Sequence, residues 1–165
     1  METLHPKIVH FPVAMLILAG VCYLLHFFIK NQRLDRFGFF LHLGGTIATV
    51  AAIFSGNYAE STIVQTEAIH EIVEEHEFLG MLTGWSFGLL LVWAYLRHKT
   101  KFMIEKVAFM LIFVLGLGIL TIGAAHGGEL VYEHGAGVKP MEKHLIDQRN
   151  HDQEEHGHEE DYDND

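Results

Sequence analysis

Histidine is the residue type in this chain that could carry chemistry, since it occurs 13 times among 165 residues. Neutral imidazole is the commonest metal ligand in proteins, and paired imidazoles bind haem iron axially. Outside the C-terminal tail, the candidate ligands for a cofactor are His5, His10, His76, His126 and His134. They come from well-separated segments, so a shared site depends on how the fold brings these segments together.

Two further groups of side chains have weaker metal-ligand character. His70 and Glu74 are four residues apart, which is the spacing for chelation from one face of a helix. The alternative is an acidic, solvated turn. The acidic residues 139–165 contain more histidines, and such tracts bind Cu²⁺, Ni²⁺ or Zn²⁺ loosely; the candidates there are His151, His156 and His158. The alternative for this segment is a disordered tail that only interacts with solvent.

Four apolar segments without charged residues must position these histidines: residues 8–29, 37–54, 78–96 and 107–125. About 20 helical residues span a bilayer core, and a water-soluble bundle would show charged stripes that these segments lack. The sequence therefore predicts an all-α polytopic membrane protein. We expect an antiparallel four-transmembrane-helix bundle over residues 1–138, followed by a largely disordered tail over residues 139–165.

The distribution of charge predicts how this bundle sits in the membrane. Most of the basic residues lie between the first and second segments and between the third and fourth: Lys30, Arg33, Arg36, Arg97, Lys99, Lys101 and Lys106. Short basic connections stay in the cytoplasm, so we expect both termini on the periplasmic or extracellular side of a bacterial inner (cytoplasmic) membrane. The net charge of −10 argues against a nucleic-acid partner, because binding to phosphates requires a basic surface.

This topology gathers most of the candidate ligands at the outer end of the bundle. Intervals of four residues place His76 on one helix stripe with Gly80, Gly84 and Gly88. Small residues at this spacing mark close helix contact in membranes, so His76 should face the bundle. The same stripe could instead leave space for a flat macrocycle.

The second segment carries a similar face of small and polar residues, namely Gly38, His42, Gly45, Thr46 and Thr49. His42 and His26 lie near the inner end of the bundle. Whether they form a second site of their own is left open by the sequence.

Two stretches resemble the opening and closing motifs of a family of small bacterial membrane proteins of unknown function. Residues 5–14 match the pattern HPxxVHFPxA, and residues 127–138 match GGxLVYxHGxGV. The resemblance covers about residues 1–138 and implies a four-helix membrane domain with His5, His10 and His134 among its signature histidines. Some members of that family are joined to cytochrome c-type modules, which implies redox work, although no catalytic residue can be carried over.

The closing motif also predicts a local structure. Gly127 and Gly128 can end the fourth helix, because glycine readily leaves the right-handed conformation. Residues 130–132 would then be extended, and the following turn would lay His134 over the mouth of the bundle. His134 would serve there either as a ligand or as part of a cap that shields the helix ends.

Three functions follow as hypotheses. In the first, His10 and His76 bind haem b or a transition metal, with His126 as a substitute for either, for electron transfer or metal handling. Its partners would be the lipid bilayer and periplasmic redox proteins such as cytochrome c, and haem ranks first because of the glycine stripe and the implied cytochrome fusions. The alternatives are a membrane scaffold or subunit without a cofactor, and a pH-responsive membrane protein. An electron-transfer or binding subunit is favoured over an enzyme.

Overall fold

Five α-helices account for nearly all of the residues that the computed structural model describes, which are residues 5–61, 67–97, 102–133, 135 and 146. They are α1 (His5–Ile8), α2 (His10–Ile29), α3 (Gln32–Glu60), α4 (Glu67–Leu96) and α5 (Met103–Tyr132). The predicted all-α class is confirmed. The predicted tail, residues 139–165, lies outside the described residues except for residue 146.

The four long helices have the length and composition to cross a membrane: His5–Ile29, Gln32–Glu60, Ile69–Leu96 and Met103–Tyr132. Only 22–33% of the most apolar window of each span is buried inside the protein. The remaining apolar side chains point outward, as Trp85, Leu89 and Leu115 do. Helices that are apolar on the outside as well as the inside are typical of a membrane protein, which confirms the predicted four-span architecture.

The helix that contains the fourth apolar segment does not end where the glycine pair predicted. α5 continues through Gly127 and Gly128 to Tyr132. A glycine that ends a helix adopts a positive φ, and neither of these two does. The predictions that they end the helix and that residues 130–132 are extended are therefore wrong.

Backbone contacts join α2 to α3, α3 to α4, α4 to α5 and α5 to α2, so the long helices form a closed ring. Only Lys30 and Asn31 connect α2 to α3, which makes these two helices antiparallel neighbours. Lys30 has a φ of 56°, and its N–H donates to the carbonyl of His26 at 2.8 Å. The side chain of Asn31 then caps α3 by accepting the N–H of Arg33 at 2.9 Å.

The two ends of the ring differ in chemistry. At one end, named here the histidine end, α1 packs against α3, and the residues that come together are His5, Ser55, His76 and Gly123. At the other end, named here the basic end, one cavity is lined by Lys30, Asp35, Arg97 and Lys106. His5 and His76 thus lie at the end opposite to these bases, as the topology predicts, whereas His26 lines the cavity at the basic end. The side of the membrane that each end faces stays a prediction.

Between the two ends the core is apolar and rich in aromatic rings. Tyr23, Phe87, Phe109 and Phe113 are buried and contact one another mostly edge to face. The predicted inward face of α3 is confirmed, because all five of its predicted residues are buried. The helices approach closely there: a Cβ at Gly45 would lie 2.7 Å from Cγ of Leu16 on α2.

The glycine stripe on α4 is only partly a packing surface. A Cβ at Gly84 would contact Ile53 of α3 at 3.0 Å, as expected for a close helix crossing. A Cβ at Gly80 or Gly88 would meet no atom within 4 Å. Gly80 lines a cavity at the histidine end, so this part of the stripe leaves space instead of making contact.

Candidate functional site

The cavity at the histidine end has a volume of about 170 Å³ and lies among α1, α2, α3, α4 and α5. Three titratable side chains line it, namely His5, His76 and Glu77. The polar side chains of Thr49, Asn57 and Thr83 also contribute to its wall, together with apolar residues and the thioether of Met81. Concave, largely apolar cavities with a few converging polar groups are the usual setting for a ligand site.

His5 is positioned by the short helix α1, which packs against α3. Its Nδ1 lies 2.9 Å from Oγ of Ser55, and Ser55 donates its own hydroxyl proton to the carbonyl of Ala52 at 2.9 Å. Because a serine hydroxyl has a single proton, Ser55 must accept from His5. The proton of the neutral His5 ring is therefore on Nδ1, and Nε2 keeps a free lone pair.

His76 lies in the third turn of α4 and faces α5. Its Nδ1–H donates to the carbonyl of Gly123 at 2.9 Å, and since a carbonyl can only accept, Nε2 of the neutral ring again keeps its lone pair. Gly127 makes room for this ring: a Cβ there would lie 2.9 Å from Cε1 of His76. Gly127 therefore leaves space for the ring of His76. The sequence had instead suggested that this glycine ends the helix.

The two imidazoles stand next to each other. Their ring centroids are 6.1 Å apart and their planes cross at 83°. Both rings use Nδ1–H to bond a fixed oxygen, which is how metal-ligating histidines are commonly oriented by their surroundings. The pair can therefore offer two nitrogen lone pairs to a ligand, from residues that are 71 positions apart in the sequence.

One acidic side chain, that of Glu77, lines the cavity beside the two imidazoles. Glu77 directly follows His76 in the chain. It was not predicted as a site residue, because a single glutamate in the acidic segment before the third apolar segment has no distinguishing signal in the sequence.

His10 is not among the residues that line this cavity. It is exposed, and its Nδ1–H donates to the carbonyl of Pro6 at 2.6 Å. The structure thus brings His5, and not the preferred His10, next to His76. The ligand role of His10 stays a prediction without a geometric partner among the described residues.

His126, the predicted substitute ligand, is engaged in an ion pair. Its Nδ1 bonds the carbonyl of Ile122 at 3.0 Å, and its Nε2 lies 3.2 Å from Oε2 of Glu75. When the ring is protonated, both nitrogens donate to these acceptors, and His126 then links α5 to α4 without a lone pair for a metal ion.

The weaker metal candidates fall into two classes. His70 and Glu74 do pair along α4, with Nε2 and Oε1 3.5 Å apart, but both side chains are mostly exposed. The other candidates lie outside the described residues: His134, His151, His156 and His158. Within the described part of the chain, no group of three or more His, Cys, Asp or Glu side chains is arranged to hold a metal ion.

The possible inner pair is not formed, because His26 and His42 bond to different partners. His26 donates from Nδ1 to the carbonyl of Asn31 at 2.9 Å. His42 is fully buried; its Nε2–H donates to the carbonyl of Phe87 at 3.0 Å, and its Nδ1 lies 3.5 Å from the hydroxyl of Tyr23. Each ring therefore fastens helix segments within the bundle.

Comparison with known proteins agrees with this architecture. No curated protein and no solved structure shows significant similarity to the chain. The sequence profile of one family, described as a predicted membrane protein of unknown function, matches residues 1–140 of the 165. The match includes all four membrane spans and both imidazoles of the cavity. The chain therefore belongs to the DUF2231 family of predicted membrane proteins.

Proposed function

We propose that this membrane protein binds a transition-metal ion between His5 and His76 and uses it for metal handling or electron transfer. The observation that carries the proposal is the pair of neighbouring imidazoles whose Nδ1–H groups are both held by oxygen atoms. Bonds from imidazole nitrogen to such ions are about 2.0–2.1 Å long. A single ion between the rings, whose centroids are 6.1 Å apart, would be bound when both Nε2 atoms point toward it.

The rest of the coordination shell would be exchangeable. The described residues supply no complete set of three His, Cys, Asp or Glu ligands, so water or an incoming partner would fill the remaining positions. Open positions are typical of ions that react or are passed on, whereas structural ions are fully enclosed by protein ligands. Imidazole suits Zn, Cu, Fe and Ni, and the thioether of Met81 in the same cavity favours copper as Cu(I).

The volume of the cavity supports a bare ion over haem b, the cofactor that the glycine stripe and the family resemblance favoured. Pockets that bury cofactors and drug-sized ligands measure about 300–1,000 Å³. The cavity between His5 and His76 measures about 170 Å³. A haem would therefore require the helices at this end to move apart, whereas a single ion would not.

We also propose that the histidine end faces the periplasm of a bacterium. The short connections at the opposite end carry the basic residues, and such connections stay in the cytoplasm. The ion would then be accessible to periplasmic redox proteins of the cytochrome c type, which would donate or accept an electron, or to soluble metal carriers.

The metal content of the full-length protein tests this proposal. The detergent-purified protein is stripped with a chelator, loaded separately with copper and zinc, desalted and analysed for bound metal. We expect the variants His5→Gln and His76→Gln to bind one ion fewer than the wild-type protein. His126→Gln serves as the matched control, because that ring lies at the same end but pairs with Glu75.

The tail histidines are present in every variant, so metal bound by the tail cancels in the comparison. Equal metal content in the wild-type protein and both cavity variants would refute the ion site. A visible spectrum of protein expressed with a haem precursor separates the two cofactors. Sharp Soret and α bands that disappear in His76→Gln would show that haem occupies this end of the bundle.

A further inference from the structure

A second cavity, of about 410 Å³, opens at the basic end of the bundle. Its charged lining residues come from α3, α5, the connection after α2 and the residue that follows α4, and they are Lys30, Asp35, Arg97, Glu105 and Lys106. Phe27, Met103 and Met110 provide an apolar part of its wall. The cavity is thus charged on one side and apolar on another, at the level where a membrane span ends.

Three of the five charged groups are held by partners. The guanidinium of Arg97 forms an ion pair with Asp35 at 3.2 Å and lies 3.8 Å from the ring centre of Phe109. The carboxylate of Glu105 accepts the indole N–H of Trp93 at 3.1 Å. These contacts fix Arg97 and both carboxylates of the cavity in place.

The two lysines are differently placed. Within the described residues, neither Lys30 nor Lys106 takes part in an ion pair. Both are exposed and line the cavity from different elements. Lys30 also occupies the left-handed conformation that ends α2, with φ of 56°, where glycine or asparagine is the less strained choice. Strained residues of this kind are found most often where the side chain has a task.

The balance of charge in the cavity indicates the sign of a ligand. Three cations face two carboxylates, so a ligand with one negative charge would make the site neutral. A ligand that also has an apolar part could use the wall formed by Phe27 and Met110. A phosphodiester with attached acyl chains meets both conditions, and basic pockets between transmembrane helices bind the headgroups of anionic lipids in this way.

We propose that the cavity at the basic end binds an anionic membrane phospholipid, with its phosphate between Lys30 and Lys106 and its acyl region along Phe27 and Met110. The volume of about 410 Å³ lies within the range of pockets that bury part of a small ligand. This proposal does not depend on metal binding at the histidine end, because the two cavities share no lining residue.

Lipid binding to the full-length protein in a non-ionic detergent tests the proposal. Native mass spectrometry measures the affinity for phosphatidylglycerol and, separately, for phosphatidylcholine with the same acyl chains. A lysine near an anionic lipid contributes about 1 kcal/mol, so we expect each of Lys30→Gln and Lys106→Gln to weaken phosphatidylglycerol binding about fivefold. Phosphatidylcholine should bind more weakly and respond little to either change.

The matched control is Arg33→Gln, which removes one positive charge at the same end from an exposed residue outside the cavity. Binding of phosphatidylglycerol should be unchanged in this variant. An equal loss in Arg33→Gln, or equal affinities for the two lipids in the wild-type protein, would overturn the proposal. Inorganic phosphate is the third probe: if millimolar phosphate displaced the lipid completely, the ligand would be the free anion and the lipid assignment would be wrong.

Discussion

Filling the cavity at the histidine end should abolish metal binding without damaging the bundle, and two glycines of α4 allow a controlled test. Gly80 and Gly88 are both helical and half-buried, and a Cβ at either would meet no atom within 4 Å. Of the two, Gly80 lines the cavity that contains His5 and His76. The perturbation is Gly80→Leu, and the matched control is Gly88→Leu.

The expected magnitude follows from volumes. If each heavy atom of an added side chain occupies about as much space as a water molecule, about 30 Å³, the four carbons of leucine take up about 120 Å³. That is most of the cavity of about 170 Å³. In both variants the loss of a helical glycine should add up to about 1 kcal/mol to helix stability, so neither protein should be less stable than the wild type.

The assay combines metal content after desalting with the midpoint of unfolding in a sodium dodecyl sulfate titration. We expect Gly80→Leu to lose the one equivalent of metal that His76→Gln loses, while Gly88→Leu keeps it. Stability should be at or above the wild-type value in both glycine variants. Full metal content in a folded Gly80→Leu protein would show that the ion does not use this cavity, and the reasoning from the imidazole pair would be refuted.

Two further predictions concern the core and can be checked by the same unfolding titration. His42→Leu should destabilise the protein by about 1–2 kcal/mol, because a buried interhelical hydrogen bond to the Phe87 carbonyl is lost. His42→Gln should lose less stability, since its amide N–H can replace Nε2–H. Equal losses in the two variants would contradict this assignment. Gly45→Ala should destabilise the protein by about 1–3 kcal/mol through overlap with Leu16. Gly118→Ala, with no atom within 4 Å of its Cβ, should be neutral or stabilising. Equal stability of these two variants would show that the α2–α3 crossing can relax.

Hydropathy predicted the four spans because a bilayer imposes the same requirement on every residue of a spanning helix. Hydropathy underestimated the length of the helices, because polar residues outside the apolar core can continue a helix. A hydropathy pattern does not detect such residues. α4 shows this clearly, since it begins at Glu67 and the apolar segment begins at Phe78.

The choice between His5 and His10 shows where sequence reasoning about the site reached its limit. At about 100° per residue, two side chains five positions apart on a helix point about 140° away from each other. Only one of them can face the bundle, and both match the opening motif equally well. The rotation is set by the packing of α1 on α3, where Ser55 receives His5. That contact joins residues 50 positions apart and has no local signal in the sequence.

His76 was predictable because its orientation is repeated along its own helix. The residue lies on the same stripe as Gly84, and that stripe had to face another helix. The partners of His126 were not predictable in this way, because an ion pair with Glu75 depends on the relative heights of α4 and α5. Periodicity thus identifies the face of one helix, whereas the register between two helices is decided by packing.

The hydrogen bonds of His42 in the middle of the bundle bear on whether the two proposed sites are connected. An ionisable residue at this depth is a functional candidate by default, commonly as part of a proton path. His42 does not fit such a path, because its Nε2–H donates to a backbone carbonyl, which has no proton to pass on. Its Nδ1 faces the hydroxyl of Tyr23, whose ring packs against Phe109 and Phe113 in the aromatic core. Among the described residues, the two proposed sites are therefore separated by an aromatic core, in which His42 bonds α3 to α4.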